Sequence, residues 1–280
     1  MKILDGRAVA KKIRGALAQT VTDLKAQYGI TPTAALVLVG EDPASESYVR
    51  LKSRIGDSLG IRSHVHRLPD DVDEQEIVDL ITSFNADDNI HGVLIQLPLP
   101  PHLHEDKIIT LVSPEKDVDG LHPLNYGRLL LGLNCLVSPA SQGILALLDH
   151  YHIDLKDKHL VIVGVNKLLG KPLALSALER GATLTLCTQA SEDLQTFTQL
   201  GDMLVVDVGV AGFIQKSMVK KGSVVIDCGN NYIGGKVVGD VAFDEVKDKA
   251  SAITPVPGGV GPMLVAMLMA NIVKAAKETS

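Results

Sequence analysis

The chain contains no tryptophan, and aromatic residues make up only 3% of its 280 positions. The core must therefore be packed with aliphatic side chains, which suits a hydrophobic content of 46% and a charged content of 21%, ordinary values for a soluble globular protein. Basic residues are also scarce, since 27 Lys and Arg face 33 Asp and Glu, for a net charge of −6. Nucleic-acid binding requires a basic surface, so we expect no nucleic-acid partner.

Cysteine is rare, and the distribution of charged and apolar residues predicts neither a signal peptide nor a membrane-spanning segment. Cys135, Cys187 and Cys228 form an odd, widely spaced set without a CxxC pair, which favours reduced thiols in the cytoplasm over disulfides or a zinc knuckle. Charges interrupt the first 17 residues, so they do not form a signal peptide. No uninterrupted apolar run is long enough to span a bilayer, and we expect a cytoplasmic protein without a membrane partner.

Metal binding is not predicted. The pairs His64/His66 and His102/His104 have the spacing of metal ligands. Neither pair has a third ligand at a suitable distance along the chain, which a zinc site requires.

Hydrophobic periodicity predicts alternating helices and strands in the first half of the chain. The predicted elements are helices at 7–28, 44–59 and from Asp73 onward, and strands at 34–39 and 91–96. Asp73 and Glu76 have the spacing of a capping box. This alternation favours a parallel α/β sheet.

A second α/β cycle follows Pro139. It comprises helices at 142–151, 171–180 and 193–200, strands at 160–163, 183–187, 203–206 and 223–227, a hairpin at 232–238 and an apolar helix at 263–277. Such a series is typical of a doubly wound, Rossmann-like unit. The chain is therefore predicted to form two α/β domains, an N-terminal one at 1–138 completed by the C-terminal helix 263–280, and a Rossmann-like nucleotide-binding one at 139–262.

Three groups of polar residues are candidates for chemistry. Tyr48 and Lys52 share a helix face, although most such pairs are a solvated lysine beside a half-buried tyrosine. Gln96 is the single polar side chain in GVLIQLPLP, at the carboxyl end of a strand, where open α/β sheets bind ligands; a strand-end amide satisfied by a neighbouring loop is the alternative. The DVDG string at 117–120 offers two carboxylates, or simply a type I turn.

The string TPVPGGVGP at 254–262 is the most distinctive. Three glycines and three prolines in nine residues predict a rigid loop whose backbone lies open to a flat ligand. The loop leads into a helix N-terminus, where backbone N–H groups are free. A purely structural turn rarely needs so many special residues.

Together with YVRLK, KDVDGLHPLNYG and GDV at 239–241, these strings resemble the bifunctional methylenetetrahydrofolate dehydrogenase/methenyltetrahydrofolate cyclohydrolase family, in order and spacing, over essentially the whole chain. The resemblance implies a folate-binding cleft between the two domains and a homodimer, the commonest closed assembly.

The resemblance also implies residue roles on the folate side. Tyr48 would stack on the tetrahydrofolate substrate, Lys52 would be the catalytic lysine, Gln96 would hydrogen-bond and tune it, Asp119 would bind the pterin, and Pro257, Gly258 and Gly261 would shape the cleft wall. The chemistry agrees, because the cationic methenyl intermediate favours a neutral amine that can then move protons. A lysine in water, with a pKa near ~10.4, is a poor base at neutral pH.

The nucleotide side departs from the family pattern. The family's Arg-Ser pair after the first glycine is replaced by Val165-Asn166, and Gln189 occupies the position of a serine that grips the extra phosphate of NADP. No acidic residue stands where an NAD ribose would be bound, about 20 residues beyond the glycine turn. The expected cofactor-binding residues are Gly164, Val165, Asn166, Gln189 and Asn230, the last in place of a usual hydrophobic residue.

Three functions remain open at this stage. The first is NADP-dependent oxidation of methylene-tetrahydrofolate followed by hydrolysis to formyl-tetrahydrofolate, which makes the protein an oxidoreductase and a hydrolase. The second is a cyclohydrolase whose dehydrogenase uses NAD or is lost, and the third is a non-catalytic folate-binding paralogue. The intact set Tyr48, Lys52, Gln96 and Asp119 argues against the third, and the altered phosphate site predicts weak use of NADP.

Overall fold

The computed structural model describes residues 1–278. In chain order the strands are β1 (Lys2–Ile3), β2 (Thr33–Val39), β3 (Arg62–Leu68), β4 (Gly92–Ile95), β5 (His159–Val163), β6 (Thr183–Cys187), β7 (Met203–Val206), β8 (Val224–Asp227), β9 (Asn231–Ile233), β10 (Lys236–Val238) and β11 (Ala252–Ile253). The helices are α1 (Gly6–Tyr28), α2 (Pro43–Leu59), α3 (Glu74–Ala86), α4 (Glu105–Ile109), α5 (Pro123–Leu130), α6 (Pro139–His150), α7 (Gly170–Glu179), α8 (Leu194–Thr198), α9 (Phe243–Val246) and α10 (Val260–Glu278), with a 3-10 helix at Lys216–Met218.

Two compact units share these elements. One consists of Met1–Lys11 and Ala140–Leu264, and the other of Lys12–Pro139 and Val265–Ser280. The sequence assigned residues 1–11 to the first domain, whereas in the structure they belong with the Rossmann-like unit. The physical reason is that β1 pairs in parallel with β11, in the register Lys2↔Ala252.

The unit that contains Lys12–Pro139 is built on the parallel sheet β3-β2-β4. Strand β2 is buried along its whole length and lies between its two partners. Its side chains alternate between two cores, with Leu36 and Leu38 in one cluster and Ala35 and Val37 in the other, as the two-residue period of a strand requires. An uninterrupted apolar run is therefore what this central strand needs.

Local signals fix the ends of the helices in this unit. Asp42 caps α2 by accepting a hydrogen bond from the Ser45 N–H at 2.8 Å, and Gly60 ends the helix with φ of 80°. Asp73 accepts from the Gln75 N–H at 3.1 Å, so α3 begins at the predicted cap. These ends matter because α2 carries Tyr48 and Lys52.

The other unit contains a parallel sheet of order β1-β11-β8-β7-β5-β6. Gly164, Asp207 and Cys228 directly follow the carboxyl ends of β5, β7 and β8, the edge at which doubly wound sheets bind ligands. Strands β9 and β10 form the predicted antiparallel hairpin around Gly234-Gly235. The sheet thus has the parallel order of a Rossmann-like fold.

Helix α10 qualifies the expectation about membranes. It is long and apolar enough to cross a bilayer by length and composition alone. Its side chains Leu268, Met269, Ile272 and Val273 instead contribute to a hydrophobic core cluster together with residues of β2. The apolar character of α10 is therefore that of a core helix.

Candidate active site

Lys52 and Gln96 form a direct hydrogen bond. The Lys52 side chain is only 8% exposed, and its Nζ donates to Gln96 Oε1 at 3.0 Å. Gln96 Nε2 in turn donates to the Leu97 carbonyl at 2.7 Å, which orients the amide oxygen toward the lysine. Because the Gln96 N–H donates to the Val37 carbonyl at 2.8 Å, the sheet itself holds this residue in place.

Two opposing effects of the surroundings act on the pKa of Lys52. Burial lowers the pKa of Lys52, and the nearby Asp119 carboxylate opposes that shift. Burial raises the pKa of Asp119 to about 6, Lys52 works against the rise, and the charge of Asp117 adds to it. The site therefore contains an amine that loses its proton more easily than one in water and a carboxyl that titrates near neutrality.

Tyr48 lies one turn before Lys52 on α2. Its side chain is 42% exposed. Residues four apart on a helix lie on the same face. The tyrosine ring therefore has an accessible surface on the face of α2 that carries the lysine.

Asp119 belongs to a tight turn. The Gly120 N–H donates to the Asp117 carbonyl at 3.0 Å, so the DVDG string does form a turn, and it also carries a charged residue near Lys52. Gly120 has a φ of 65°, and a Cβ atom there would lie 2.6 Å from the Ser138 nitrogen. Only glycine fits this position.

The loop with Pro257, Gly258 and Gly261 lies in the Rossmann-like unit. Gly258 has a φ of 120°, and its carbonyl accepts from the Arg7 N–H at 3.2 Å. A Cβ atom on Gly6 would lie 1.8 Å from the Gly259 carbonyl oxygen, so the backbones are in close contact. The loop is braced by the start of α1. Its role in folate binding stays a prediction.

The glycine turn after β5 has the close packing of a nucleotide-binding loop. Gly164 has a φ of 105°, and a Cβ atom there would lie 1.9 Å from the Asp207 carbonyl oxygen. Asn166 Nδ2 donates to Asp207 Oδ2 at 2.7 Å, while its Oδ1 accepts from the Leu168 and Leu169 N–H groups at 3.0 and 2.8 Å. The Asn166 side chain is therefore used to hold the loop that leads into α7.

The other predicted cofactor residues lie at the same sheet edge. Gln189 follows β6, is exposed, and donates from Nε2 to the Val208 carbonyl. Asn230 is exposed after β8, and Val165 is half-buried beside Gly164. Val165 and Gln189 therefore place no guanidinium group in these two loops.

Sequence reasoning missed a pair of buried carboxylates near this edge. Asp227 accepts from the N–H groups of Gly229 and Asp240 at 2.9 Å and of Val241 at 3.0 Å. Asp240 accepts from Val208 N–H at 2.6 Å and Gly209 N–H at 2.9 Å. The available signals were an acidic residue at the end of a buried strand and the GDV string.

Three of the four paired histidines, His66, His102 and His104, make local contacts. His66 on β3 packs against Phe84 with 4.7 Å between ring centroids. His104 Nδ1 lies 2.8 Å from Glu74 Oε2, and His102 Nε2 lies 3.1 Å from the Val72 carbonyl. Within residues 1–278 no group of three or more His, Cys, Asp or Glu side chains is placed to hold a metal ion.

Comparison with known proteins identifies the family. The catalytic domain of tetrahydrofolate dehydrogenase/cyclohydrolase matches residues 4–119, and the NAD(P)-binding domain of the same family matches residues 138–280. The bifunctional protein FolD of Bacillus licheniformis is 47% identical over 278 residues, which cover 99% of this chain and 98% of that protein.

Solved structures agree. The bifunctional FolD methylenetetrahydrofolate dehydrogenase/cyclohydrolase of Campylobacter jejuni is 43% identical, with a TM-score of 0.98 over 99% of both chains. The Trypanosoma brucei enzyme, solved with NADP and an inhibitor, is 32% identical, with a TM-score of 0.95 over 99% of this chain and 97% of that one. The chain therefore belongs to the tetrahydrofolate dehydrogenase/cyclohydrolase family, whose bifunctional members oxidise methylene-tetrahydrofolate and hydrolyse the methenyl product.

Proposed function

We propose that this protein oxidises methylene-tetrahydrofolate with NADP and hydrolyses the methenyl product to formyl-tetrahydrofolate, with Lys52 as the proton carrier of the hydrolytic step. The observation that carries the proposal is that the buried Lys52 donates a hydrogen bond from Nζ to Gln96 Oε1 at 3.0 Å. A buried lysine held by a neutral amide has no evident use in a protein that only binds folate. This argues against the non-catalytic alternative.

The hydrolysis needs two proton movements that one amine can serve. Water adds to the methenyl carbon, and the proton it loses passes to the neutral Lys52 amine. The C–N bond to one ring nitrogen then breaks as the adduct oxygen forms the formyl C=O and releases its hydroxyl proton to water, while the electron pair of the broken bond stays on the nitrogen, which takes the proton of the lysine ammonium. Gln96 assists because it orients the amine without adding a negative charge that would hold it protonated.

Substrate binding is assigned to the residues around this lysine. We assign the pterin ring to Asp119, whose carboxylate can accept hydrogen bonds from ring N–H groups once it is ionised, and stacking to the exposed ring of Tyr48. Pro257, Gly258 and Gly261 are proposed as further substrate contacts. Their braced, glycine-rich backbone leaves little side chain in the way of a flat ligand.

The Rossmann-like unit fits a dinucleotide. NADP would supply the hydride acceptor, and the protein's part is to position it. A Cβ atom on Gly170 would lie 2.2 Å from the Gly164 carbonyl, so the turn before α7 is packed as a diphosphate-binding loop requires. The proposed cofactor residues are Gly164, Val165, Asn166, Gln189 and Asn230.

Substituting arginine for Val165 is expected to tighten NADP binding. The new guanidinium would pair with the 2′-phosphate, and a charge-assisted hydrogen bond of about 1.5–3 kcal/mol corresponds to a KM for NADP lower by about tenfold or more. The KM for NAD, which lacks that phosphate, should change little. Steady-state kinetics with methylene-tetrahydrofolate and either nucleotide measure both constants.

Leu178→Arg is the matched control, because it places the same charge on an exposed position of α7. If the unmodified protein already binds NADP tightly and V165R does not improve it, another residue supplies the phosphate contact. Wild-type constants that favour NAD over NADP would instead support the second of the functions left open by the sequence.

We further propose that the protein is a cytoplasmic homodimer. Its three cysteines are free thiols, as expected in a reducing compartment, and two-fold dimers are the commonest closed assembly. Light scattering coupled to size-exclusion chromatography tests the dimer, since a mass near the 29.8 kDa of one chain would contradict it.

A further inference from the structure

Asp117 is a buried carboxylate for which the catalytic scheme above has no role. Its side chain is 4% exposed, and its Oδ2 accepts from the His122 N–H at 2.8 Å and from Asn125 Nδ2 at 3.0 Å. Asn125 is itself buried and also donates from Nδ2 to the Pro114 carbonyl at 2.8 Å. Asp117 therefore ties the turn that carries Asp119 to the first residues of α5.

The backbone of this turn is held from two further directions. The Val93 N–H on β4 donates to the Lys116 carbonyl at 2.7 Å, just before the turn. Asn271 on α10 donates from Nδ2 to the Val118 carbonyl at 2.8 Å, within the turn. The chain is thus fixed on either side of Asp117 and immediately before Asp119, and little freedom remains for the Asp119 backbone.

Asp117 also contributes to the charge of the site. The ionisable groups that face these two acids are Lys52, which acts on Asp119, and His122 and Tyr126, which interact with Asp117. Burial raises the pKa of Asp117, and its hydrogen bonds and His122 oppose the rise. Burial together with the charge of Asp117 raises the pKa of Tyr126 to about 12, so this phenol remains neutral near Asp117.

We propose that Asp117 is a positioning residue for the folate reactions. It fixes the turn that carries Asp119, and its negative charge acts on the Asp119 carboxyl group. Because protein donors hold its buried carboxylate, Asp117 acts on the substrate through Asp119 and not by contact. The proposal deepens the function proposed above, since it rests on Asp119 as a substrate ligand.

The two roles of Asp117 are separable by substitution. Asp117→Asn keeps an oxygen that can accept from His122 and Asn125 but removes the charge. Asn125→Ala keeps the charge and removes one of the two donors to Oδ2. Carboxyl carbon-13 NMR titration of Asp119 and the pH dependence of kcat/KM are measured in both variants, with Lys52→Met as the reference for a shift in the opposite direction.

In D117N the Asp119 titration is expected to move to lower pH by about half to one unit, because a repelling charge is gone. The acid limb of kcat/KM is expected near the Asp119 pKa of about 6 and should move with it. In K52M the titration should move to higher pH. N125A should leave the Asp119 titration within about 0.3 units of the wild type but lower kcat/KM by about tenfold through loss of positioning.

An unmoved Asp119 titration in folded D117N overturns the proposal. If D117N does not fold, unchanged kcat/KM in folded N125A overturns it. Asp119→Asn separates this failure from failure of the proposed function. If D119N has the kcat/KM of the wild type for both reactions, Asp119 is not a substrate ligand. The NMR titration of Asp119 in D117N still shows, independently, whether the charge of Asp117 acts on Asp119.

Discussion

Replacing Lys52 with methionine is expected to lower the rate of methenyl-tetrahydrofolate hydrolysis by about 10²–10⁴-fold, the usual contribution of a positioned proton carrier. Methionine has a similar length and suits a side chain that is only 8% exposed, so the fold should survive. The loss of methenyl-tetrahydrofolate absorbance, followed at saturating substrate, measures this rate. Hydride transfer needs positioning and not a proton carrier, so the dehydrogenase rate should fall much less.

Lys12→Met is the control, since Lys12 is an exposed lysine on α1. A hydrolysis rate in K52M within tenfold of the K12M rate would show that another group moves the proton.

The partner of the lysine offers a finer test. Gln96→Glu preserves the shape of the side chain but places a carboxylate 3.0 Å from Lys52 Nζ. An adjacent negative charge favours the ammonium form and raises the pKa of Lys52, in opposition to the effect of burial. Hydrolysis by Q96E is therefore expected to fall at neutral pH and to recover partly as the pH rises. A pH-independent loss would point to steric damage at Gln96.

The sequence alone predicted the elements that are buried on both faces. The run Met203–Val206, which is buried along its whole length, has the predicted bounds in the structure. Parallel strands covered by helices are continuous apolar runs, and such runs are recognisable without knowledge of the fold. The same reasoning located the strand that ends before Gln96.

Edge and short elements were not predictable in this way. Strand β3 reads RSHVHRL, because its alternate residues face outward and are polar, and it was not recognised. Helix α5 depends on the His122 ring, whose Nδ1 accepts from the Leu124 N–H at 3.0 Å, and histidine is not a usual cap. Helix α8 proved shorter than the predicted 193–200. The two residues of β1 are stabilised by pairing with β11, about 250 positions away, and no local sequence signal predicts them.

The candidate site shows the same division. The resemblance to a family predicts that Gln96 hydrogen-bonds Lys52, and the structure contains this hydrogen bond. The supporting residues behind them, Asp117 and Asn271, lie far apart in sequence, and only the folded chain shows that both hold the Asp119 turn. Long-range polar contacts of this kind have no periodicity to reveal them.

Asp227→Ala is expected to lower the free energy of unfolding by about 3 kcal/mol at pH 7.5, because it leaves three buried N–H groups without an acceptor. The side chain is only 2% exposed, so bulk water does not reach these N–H groups in the folded protein. Asp244→Ala is the control: its carboxylate is 89% exposed and pairs with Lys247 on the surface, a contact that contributes at most about 0.5 kcal/mol. Urea denaturation of both variants measures the difference.

The cost of D227A should also depend on pH in a defined direction. Burial raises the pKa of Asp227 from 3.8 to about 6, against the opposing effect of its three hydrogen bonds. A carboxyl whose pKa is raised by folding stabilises the folded state most below its unfolded pKa, and that contribution is lost as the pH rises from about 4 to about 6. The stability difference between wild type and D227A should therefore be about 1 kcal/mol larger at pH 5 than at pH 7.5. A difference that is the same at pH 5 and pH 7.5 would mean that Asp227 is ionised throughout this range, with its three hydrogen bonds outweighing burial.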